Sequence, residues 1–278
     1  MSSRPVLQEF ELSDSDFARL RALVREHTGV ALADSKRELV YSRVARRLRA
    51  LKLSSFSDYC ALVETGHGDE LQELTNAITT NLTAFFREKH HFDQLAAEVL
   101  PQLQQERRTG RRVRLWSAGC SSGEEPYSIA MVLREAWTRW TDWDVRLLAT
   151  DIDSKVLCAA SAGEYSAERL KGVSPERAER WFTPGAGKAF TAGDELKSLI
   201  TFRRLNLLEA WPMKGPFDVI FCRNVVIYFD KETQRELFDR MADLQDPGGW
   251  LFIGHSENLF NVTRRYKLVG RTVYRRVS

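Results

Sequence analysis

Two rhythms of apolar and polar positions divide the chain. Over residues 13–75 apolar residues recur at helical spacing. In "SDSDFARLRALVREHTG", Phe17, Leu20, Leu23 and Val24 follow Ser and Asp cap candidates, and Gly29 marks the stop. In "DSKRELVYSRVARRLRALK", Val40, Val44, Leu48 and Leu51 form one stripe, with Arg43, Arg46 and Arg49 on an adjoining arc. Further helices are predicted at 55–65 and 69–80. "TTNLTAFFREKHHFDQLAAEVLPQLQQERRTG" reads as a bridge, a long helix ending in a charged, Gly-terminated linker over 106–112. From residue 113 apolar strand-like runs alternate with helical ones. The predicted strands are 113–117, 145–150, 201–206, 217–222 and 250–254, and the helices 126–138, 154–162 and 231–245. This alternation predicts a parallel, doubly wound α/β sheet. "YKLVGRTVYRRV" adds an antiparallel hairpin at its edge. The expected organisation is a helical domain over 1–80, a bridge over 81–112 and a sheet domain over 113–278.

In such a sheet, ligands sit beyond the carboxyl ends of the strands. After the first strand comes "SAGCSSGEE", shaped like a nucleotide-binding turn. It is not G-x-G-x-x-G, and it lacks the Lys of a phosphate loop. It offers Glu124 and Glu125 where a phosphate would want donors. Asp151 ends the second strand, where a carboxylate suits ribose hydroxyls. Asn206 follows the third strand, Arg223, Asn224 and Tyr228 the fourth, and "GHSEN" the fifth. An adenosine ligand without phosphates, carrying a sulfonium and an ammonium, fits these acids, as S-adenosylmethionine does. From the residues alone an NAD site, or no cofactor with these polar residues as caps and turns, stays open. In the bridge, Arg87 follows two aromatics at an expected helix start that Asn81 or Thr83 could cap. It is either part of a packed helix end or an anion-fixing group facing the cleft beside the sheet.

Composition narrows the choice. The chain has 278 residues, is 43% hydrophobic and carries a net charge of +3. That charge is too small and too dispersed for a nucleic-acid protein, and no aromatic platform accompanies the Arg arc. No run of about 18 apolar residues predicts a membrane span, and the opening residues have no signal-peptide core. The four cysteines lie far apart with no C-x-x-C spacing, and His90–His91 is not a metal-ligand spacing. The expectation is a cytoplasmic, monomeric protein with no metal.

Taken together, "TTNLTAFFRE.HHF", "WSAGCSSGEEPYSIA", "TDID", "NLL", "FDVIFCRNVVIYFD" and "LFIGHSEN" resemble the chemotaxis receptor methyltransferases, the CheR family, in order and in near-matching spacing over residues 10–276. The resemblance implies a Rossmann-like S-adenosylmethionine-dependent methyltransferase domain behind a small all-helical domain. It also implies a small β-subdomain, placed at about 183–203. The implied activity is conversion of glutamates on the cytoplasmic helices of chemoreceptors to γ-glutamyl methyl esters, with S-adenosylhomocysteine as product. The implied cofactor contacts are Asn81, Thr83, Arg87, Glu125 (or Glu124), Asp151, Asn206, Leu207, Arg223 and Asn224. Arg87 and Tyr228 match the residues that orient the reacting groups. Arg43, Arg46 and Arg49 then read as a docking face for Glu/Gln-rich receptor helices, against the plainer reading of a solvated helix face. Some family members bind a C-terminal receptor pentapeptide through the β-subdomain. "TPGAGKAFTAGDELKSLITF" is a few residues short of those members and lacks their Arg-rich strand, which favours direct action. A binding module without turnover, or a methyltransferase for RNA or a small molecule, are the competing functions.

Overall fold

The computed structural model describes residues 9–66, 68–137 and 142–277. The first eight residues of the expected helical domain, Thr138 at the end of an expected helix, and Ser278 lie outside them. The chain divides into two units, Met1–Thr80 and Asn81–Ser278.

The first unit packs α1 (Asp14–Thr28), α2 (Arg37–Leu51), α3 (Phe56–Glu64) and α4 (Glu70–Ile78). Ser13 caps α1 by accepting the Asp16 N–H, and Gly29 closes it at φ 71°. The predicted stripes meet in one core of Phe17, Leu20, Val24, Val40, Val44, Leu48, Phe56 and Leu74, except for Leu51, which is exposed at the end of α2. A buried polar triad crosses it. Tyr59 donates to Glu70 Oε1 at 2.7 Å, and Arg47 donates to both Glu70 oxygens at 2.9 and 2.6 Å. The Arg arc divides by role. Arg43 donates to the carbonyls of Ala77, Ile78 and Thr79 at 2.7–2.9 Å, so its charge closes the C-terminus of α4. Arg46 is exposed, and Arg49 pairs with Glu9 at 2.6 Å.

In the second unit the bridge departs from the expected helix. Residues 81–89 are irregular, with left-handed φ at Phe86 and Glu88 that a helix cannot absorb. Helix starts only at α5 (His90–Gln94) and runs through a π-helical turn, Leu95–Val99, into α6 (Leu100–Glu106). Asn81 and Thr83 therefore cap no helix. The sheet follows as β1 (Arg112–Ala118), α7 (Glu124–Ala136), β2 (Asp144–Asp151) and α8 (Ser154–Ala162). Next come β3 (Glu164–Ser166), α9 (Pro175–Trp181), β4 (Phe182–Pro184), β5 (Ala189–Ala192) and α10 (Asp194–Lys197). The chain returns through β6 (Ile200–Arg204), β7 (Val219–Cys222), α11 (Lys231–Asp243) and β8 (Trp250–Ile253), and ends in β9 (Tyr266–Gly270) and β10 (Val273–Arg276).

The main sheet has the order β6-β2-β1-β7-β8-β10-β9. Its first five strands are parallel, and the hairpin inserts β10 antiparallel to β8. Alternate residues feed two cores. Leu115, Leu147, Phe221 and Phe252 pack toward α7 and the bridge helix, while Trp116, Ile220, Leu251 and Ile253 pack toward α11. The strand order reverses between β1 and β7, which opens the crevice where such folds bind ligands. The small sheet is built differently from the 183–203 expectation. It is antiparallel, ordered β3-β5-β4 and drawn from residues 164–192. Residues 200–204 pair instead with β2 in the main sheet. The three-residue strands Glu164–Ser166 and Phe182–Pro184 are too short to carry a visible period.

Glu70→Ala is expected to lower the stability of the helical unit by about 2 kcal/mol, because Arg47 and Tyr59 lose a shared charged acceptor. Urea unfolding followed by far-ultraviolet circular dichroism checks it. An unchanged midpoint would show that the triad contributes nothing.

Candidate active site

The turn after β1 is held shut from both sides. Gly119, at φ 85°, lies so close to the loop after β7 that a Cβ there would come within 2.3 Å of Val225 Cγ2. The Gly119 and Cys120 N–H groups both donate to Thr150 O, and the Ser121 N–H donates to Asp151 Oδ2 at 2.8 Å. Asp151 Oδ1 accepts the Asp153 N–H at 2.9 Å. Burial pushes the Asp151 carboxyl above the usual range, against the pull of these backbone donors. The Ile152 N–H is a third backbone donor to this carboxylate, which has about four acceptor sites in all.

Two further segments meet this turn. Asn81 donates to Asp153 Oδ2 at 2.7 Å, and the Asn81 carbonyl accepts from Ser121 Oγ at 3.1 Å. Leu205 N–H donates to Asp151 O at 3.0 Å, which sets Asn206 and Leu207 beside the tip of β2. Asn206 Oδ1 accepts the Leu208 N–H, and Leu207 is buried. Thr83 is half-buried on the irregular bridge segment that carries Asn81.

The two glutamates of the turn have separate partners. Glu124 is 1% exposed and meets Ser122 Oγ at 2.8 Å and Arg169 Nη2 at 2.5 Å. Glu125 accepts from Ser117 Oγ at 2.7 Å and from Arg223 Nη1 at 2.9 Å. Arg223, 5% exposed, also donates from Nη2 to Arg87 O at 2.5 Å and faces Glu88 Oε2 at 3.2 Å. Its side chain is thus an internal clamp, and what it offers the crevice is backbone. Asn224 adopts φ 59° and reaches Glu88 Oε1 at 3.4 Å. The Arg87 guanidinium makes one hydrogen bond among the described residues, to Leu82 O at 2.8 Å, and is half-exposed. Tyr228 ends a 3₁₀ turn, Val226–Tyr228, with its ring half-exposed.

Two acids were missed among quoted motifs. Glu257, inside "GHSEN", is buried and accepts N–H groups from Asn224 at 2.9 Å, Val226 at 2.9 Å and Gly254 at 2.6 Å. It fixes the loop that carries Asn224 and Tyr228. Glu88 ends "FFRE" and meets Arg223, Asn224 and His255. Sequence gave both only as acids beside named residues, since neither has local spacing to mark it. Arg43, Arg46 and Arg49 belong to the other unit and are not part of this cluster.

The charges set the ligand class. The carboxylates of Glu124, Glu125, Asp151 and Asp153 outnumber the guanidinium groups of Arg169 and Arg223 that meet them, and both of those cations are already paired. Such a turn repels phosphate and suits a cationic ligand with ribose hydroxyls.

Comparison with known proteins agrees. Residues 81–275 match the family described as "CheR methyltransferase, SAM binding domain", and residues 15–79 match "CheR methyltransferase, all-alpha domain". A probable chemotaxis protein methyltransferase of Rhizobium etli is 45% identical over 91% of this chain and 96% of its own. Chemotaxis protein methyltransferase 2 of Pseudomonas aeruginosa is 47% identical over 96% and 95%, and the chemotaxis protein methyltransferase of Escherichia coli 45% over 96% and 92%.

Glu257→Ala leaves three backbone donors without their acceptor and is expected to cost about 3 kcal/mol. Thermal unfolding measures it, and a shift within error of wild type would refute the anchoring role. A second expectation concerns His91, which is fully buried. Burial first, then the Arg223 charge, push it from 6.5 down to about 3, and His90 is lowered too. The folded protein keeps this ring neutral while the unfolded chain protonates below 6.5. Stability present above pH 6.5 is therefore lost as pH falls toward 3, by roughly 2 kcal/mol at pH 5 for His91. Melting points at pH 7.5 and 5 should differ less in His91→Gln, and equal slopes would reject the assignment.

Proposed function

The chain belongs to the CheR methyltransferase family, and on that premise we propose that it is a protein-glutamate O-methyltransferase. Its substrates are specific glutamates on the cytoplasmic domains of chemoreceptors, and it works in the cytoplasm as a monomer during chemotactic adaptation. The match of residues 81–275 to the S-adenosylmethionine-binding domain carries the reading. The acid-rich turn supports it, because a cluster of carboxylates suits a cation better than a phosphate.

Bound in the crevice, S-adenosylmethionine supplies a methyl group carried on a sulfonium. Asp151 holds ribose hydroxyls through its remaining acceptor sites. Asn206 and Leu207 flank the adenosine side, and Asn81 and Thr83 close the bridge side. Glu125, at the floor, is paired with the clamped Arg223, whose backbone joins that of Asn224 along the rim. Glu124 is held by Arg169 and supports the turn from behind.

The substrate needs no general base, since a glutamate with an ordinary pKa of about 4.3 is ionised at neutral pH. The task is to hold it in line and keep it there. Arg87 has guanidinium nitrogens left after its single bond to Leu82 O, and these take the substrate carboxylate. The Tyr228 hydroxyl orients the reacting groups from the opposite loop. In the helical unit, the exposed Arg46 fits the acidic receptor helices, Arg49 would have to give up Glu9 to do so, and Arg43 is spent on α4. Methylation proceeds without a receptor tether peptide on the small sheet.

Methyl-labelled S-adenosylmethionine mixed with receptor-containing membranes should place base-labile label on the receptor band, released as methanol. Arg87→Ala should lower turnover at least about 100-fold while S-adenosylhomocysteine binding by calorimetry persists. Removing the receptor's C-terminal peptide should leave the rate within twofold. No label with binding intact would leave a binding module, and no binding would end the cofactor assignment.

A further inference from the structure

Arg87 stands between two residues in the left-handed region, Phe86 at φ 53° and Glu88 at φ 57°. A residue with a side chain holds that conformation only where its surroundings over-determine it, and such residues gather at functional sites. Phe86 has a conventional anchor. Its N–H donates to Ser128 Oγ at 3.0 Å, and its ring packs against Phe92 beneath the Arg177 guanidinium.

The anchor of Glu88 is its carboxylate, 10% exposed. Oε1 shares a 2.7 Å hydrogen bond with His255 Nδ1 and receives Asn224 Nδ2 at 3.4 Å. Oε2 accepts the His255 N–H at 3.2 Å and faces Arg223 Nη2 at 3.2 Å. One side chain therefore ties the bridge to the loops after both β7 and β8. The nitrogen of Arg223 that faces Glu88 also donates to the Arg87 carbonyl at 2.5 Å. Burial acts to raise the Glu88 carboxyl, but His255 and the Arg223 charge outweigh it and hold it at about 2, so it stays ionised. Glu88, His90 and His91 do bring ligand-type atoms within 4.8 Å of one another. The guanidinium beside them occupies the place of a cation, and the Glu88 oxygens are already engaged.

We propose that Glu88 is a positioning residue for methyl transfer: by fixing the backbone on the far side of Arg87, it sets where the Arg87 guanidinium is presented to the substrate carboxylate. The proposal rests on the role given to Arg87 above. It explains why a charged side chain is buried next to one that must stay available. With the carboxylate gone, residue 88 keeps only the His91 N–H on its carbonyl to hold its left-handed turn, and the Arg223 bond to the Arg87 carbonyl loses its counter-charge.

The test uses full-length Glu88→Gln and Glu88→Ala with receptor membranes and labelled S-adenosylmethionine. Active sites are counted by binding of labelled S-adenosylhomocysteine, so that misfolded protein drops out of the rate. Per site, kcat should fall at least tenfold in Glu88→Gln and further in Glu88→Ala. KM for S-adenosylmethionine should stay within threefold, because Asp151 and its neighbours are untouched. In an Arg87→Ala background Glu88→Gln should cost less than twofold more, since the group it positions is gone. A kcat per site within twofold of wild type in Glu88→Gln would overturn the proposal. So would an equal loss in both backgrounds, which would mean that Glu88 acts apart from Arg87. If wild-type protein itself gives no base-labile label, the assigned activity fails instead, and the two failures are thereby told apart.

Discussion

A guanidinium removed from water must find countercharge and acceptors within reach, and Arg223 finds three of them on two separate segments. Glu125 comes from the start of α7, Glu88 from the bridge, and the third acceptor is the carbonyl of Arg87. Taking away one partner of such a pair leaves a buried charge uncompensated, typically at 3–5 kcal/mol. The geometry around β1 and β7 therefore cannot loosen piecemeal. The bridge is irregular and strained, and by itself has no reason to lie over the strand ends. It lies there because Arg223 and the acids around it require it.

The same logic recurs with backbone donors. Irregular loops at strand ends carry N–H groups that have left the sheet ladder and need acceptors. Asp151 serves the turn after β1, Asp153 caps α8, and Glu257 gathers the loop after β7. Each acid pins a loop, and Asp151 keeps lone pairs for a ligand. The negative field of the crevice is thus a by-product of how its loops are held. A cationic methyl donor suits that field where a phosphate-bearing cofactor would not.

This arrangement also separates fixed from available groups. Arg223 and Arg169 are charged and each is ion-paired with a glutamate of the turn. Arg87 is nearby with most of its guanidinium unspent. On the proposed function, a substrate carboxylate meeting these three side chains would find Arg87 the one with unspent donors, which would direct its binding without a large attractive field.

The sequence by itself determined the elements whose signals are local. Short apolar runs such as Val113–Ser117 and Trp250–Gly254, capped helices such as that after Ser13, and the acid ending β2 all appear in the structure as read. Side-chain periodicity and capping depend on residues a few positions apart, so one chain displays them. The motif strings carried the family for the same reason. Tertiary structure alone decided the rest. Whether Arg43 is a docking charge or the cap of α4 depends on where α4 ends, some 35 residues away. The small sheet spans 164–192 because three strands too short to signal themselves find each other. Residues 81–89 refuse the helix their composition allows because Phe86 and Glu88 are held left-handed by partners as distant in sequence as Ser128 and His255. Buried charges are satisfied across the fold rather than along the chain, and only the folded chain shows which acid meets which guanidinium.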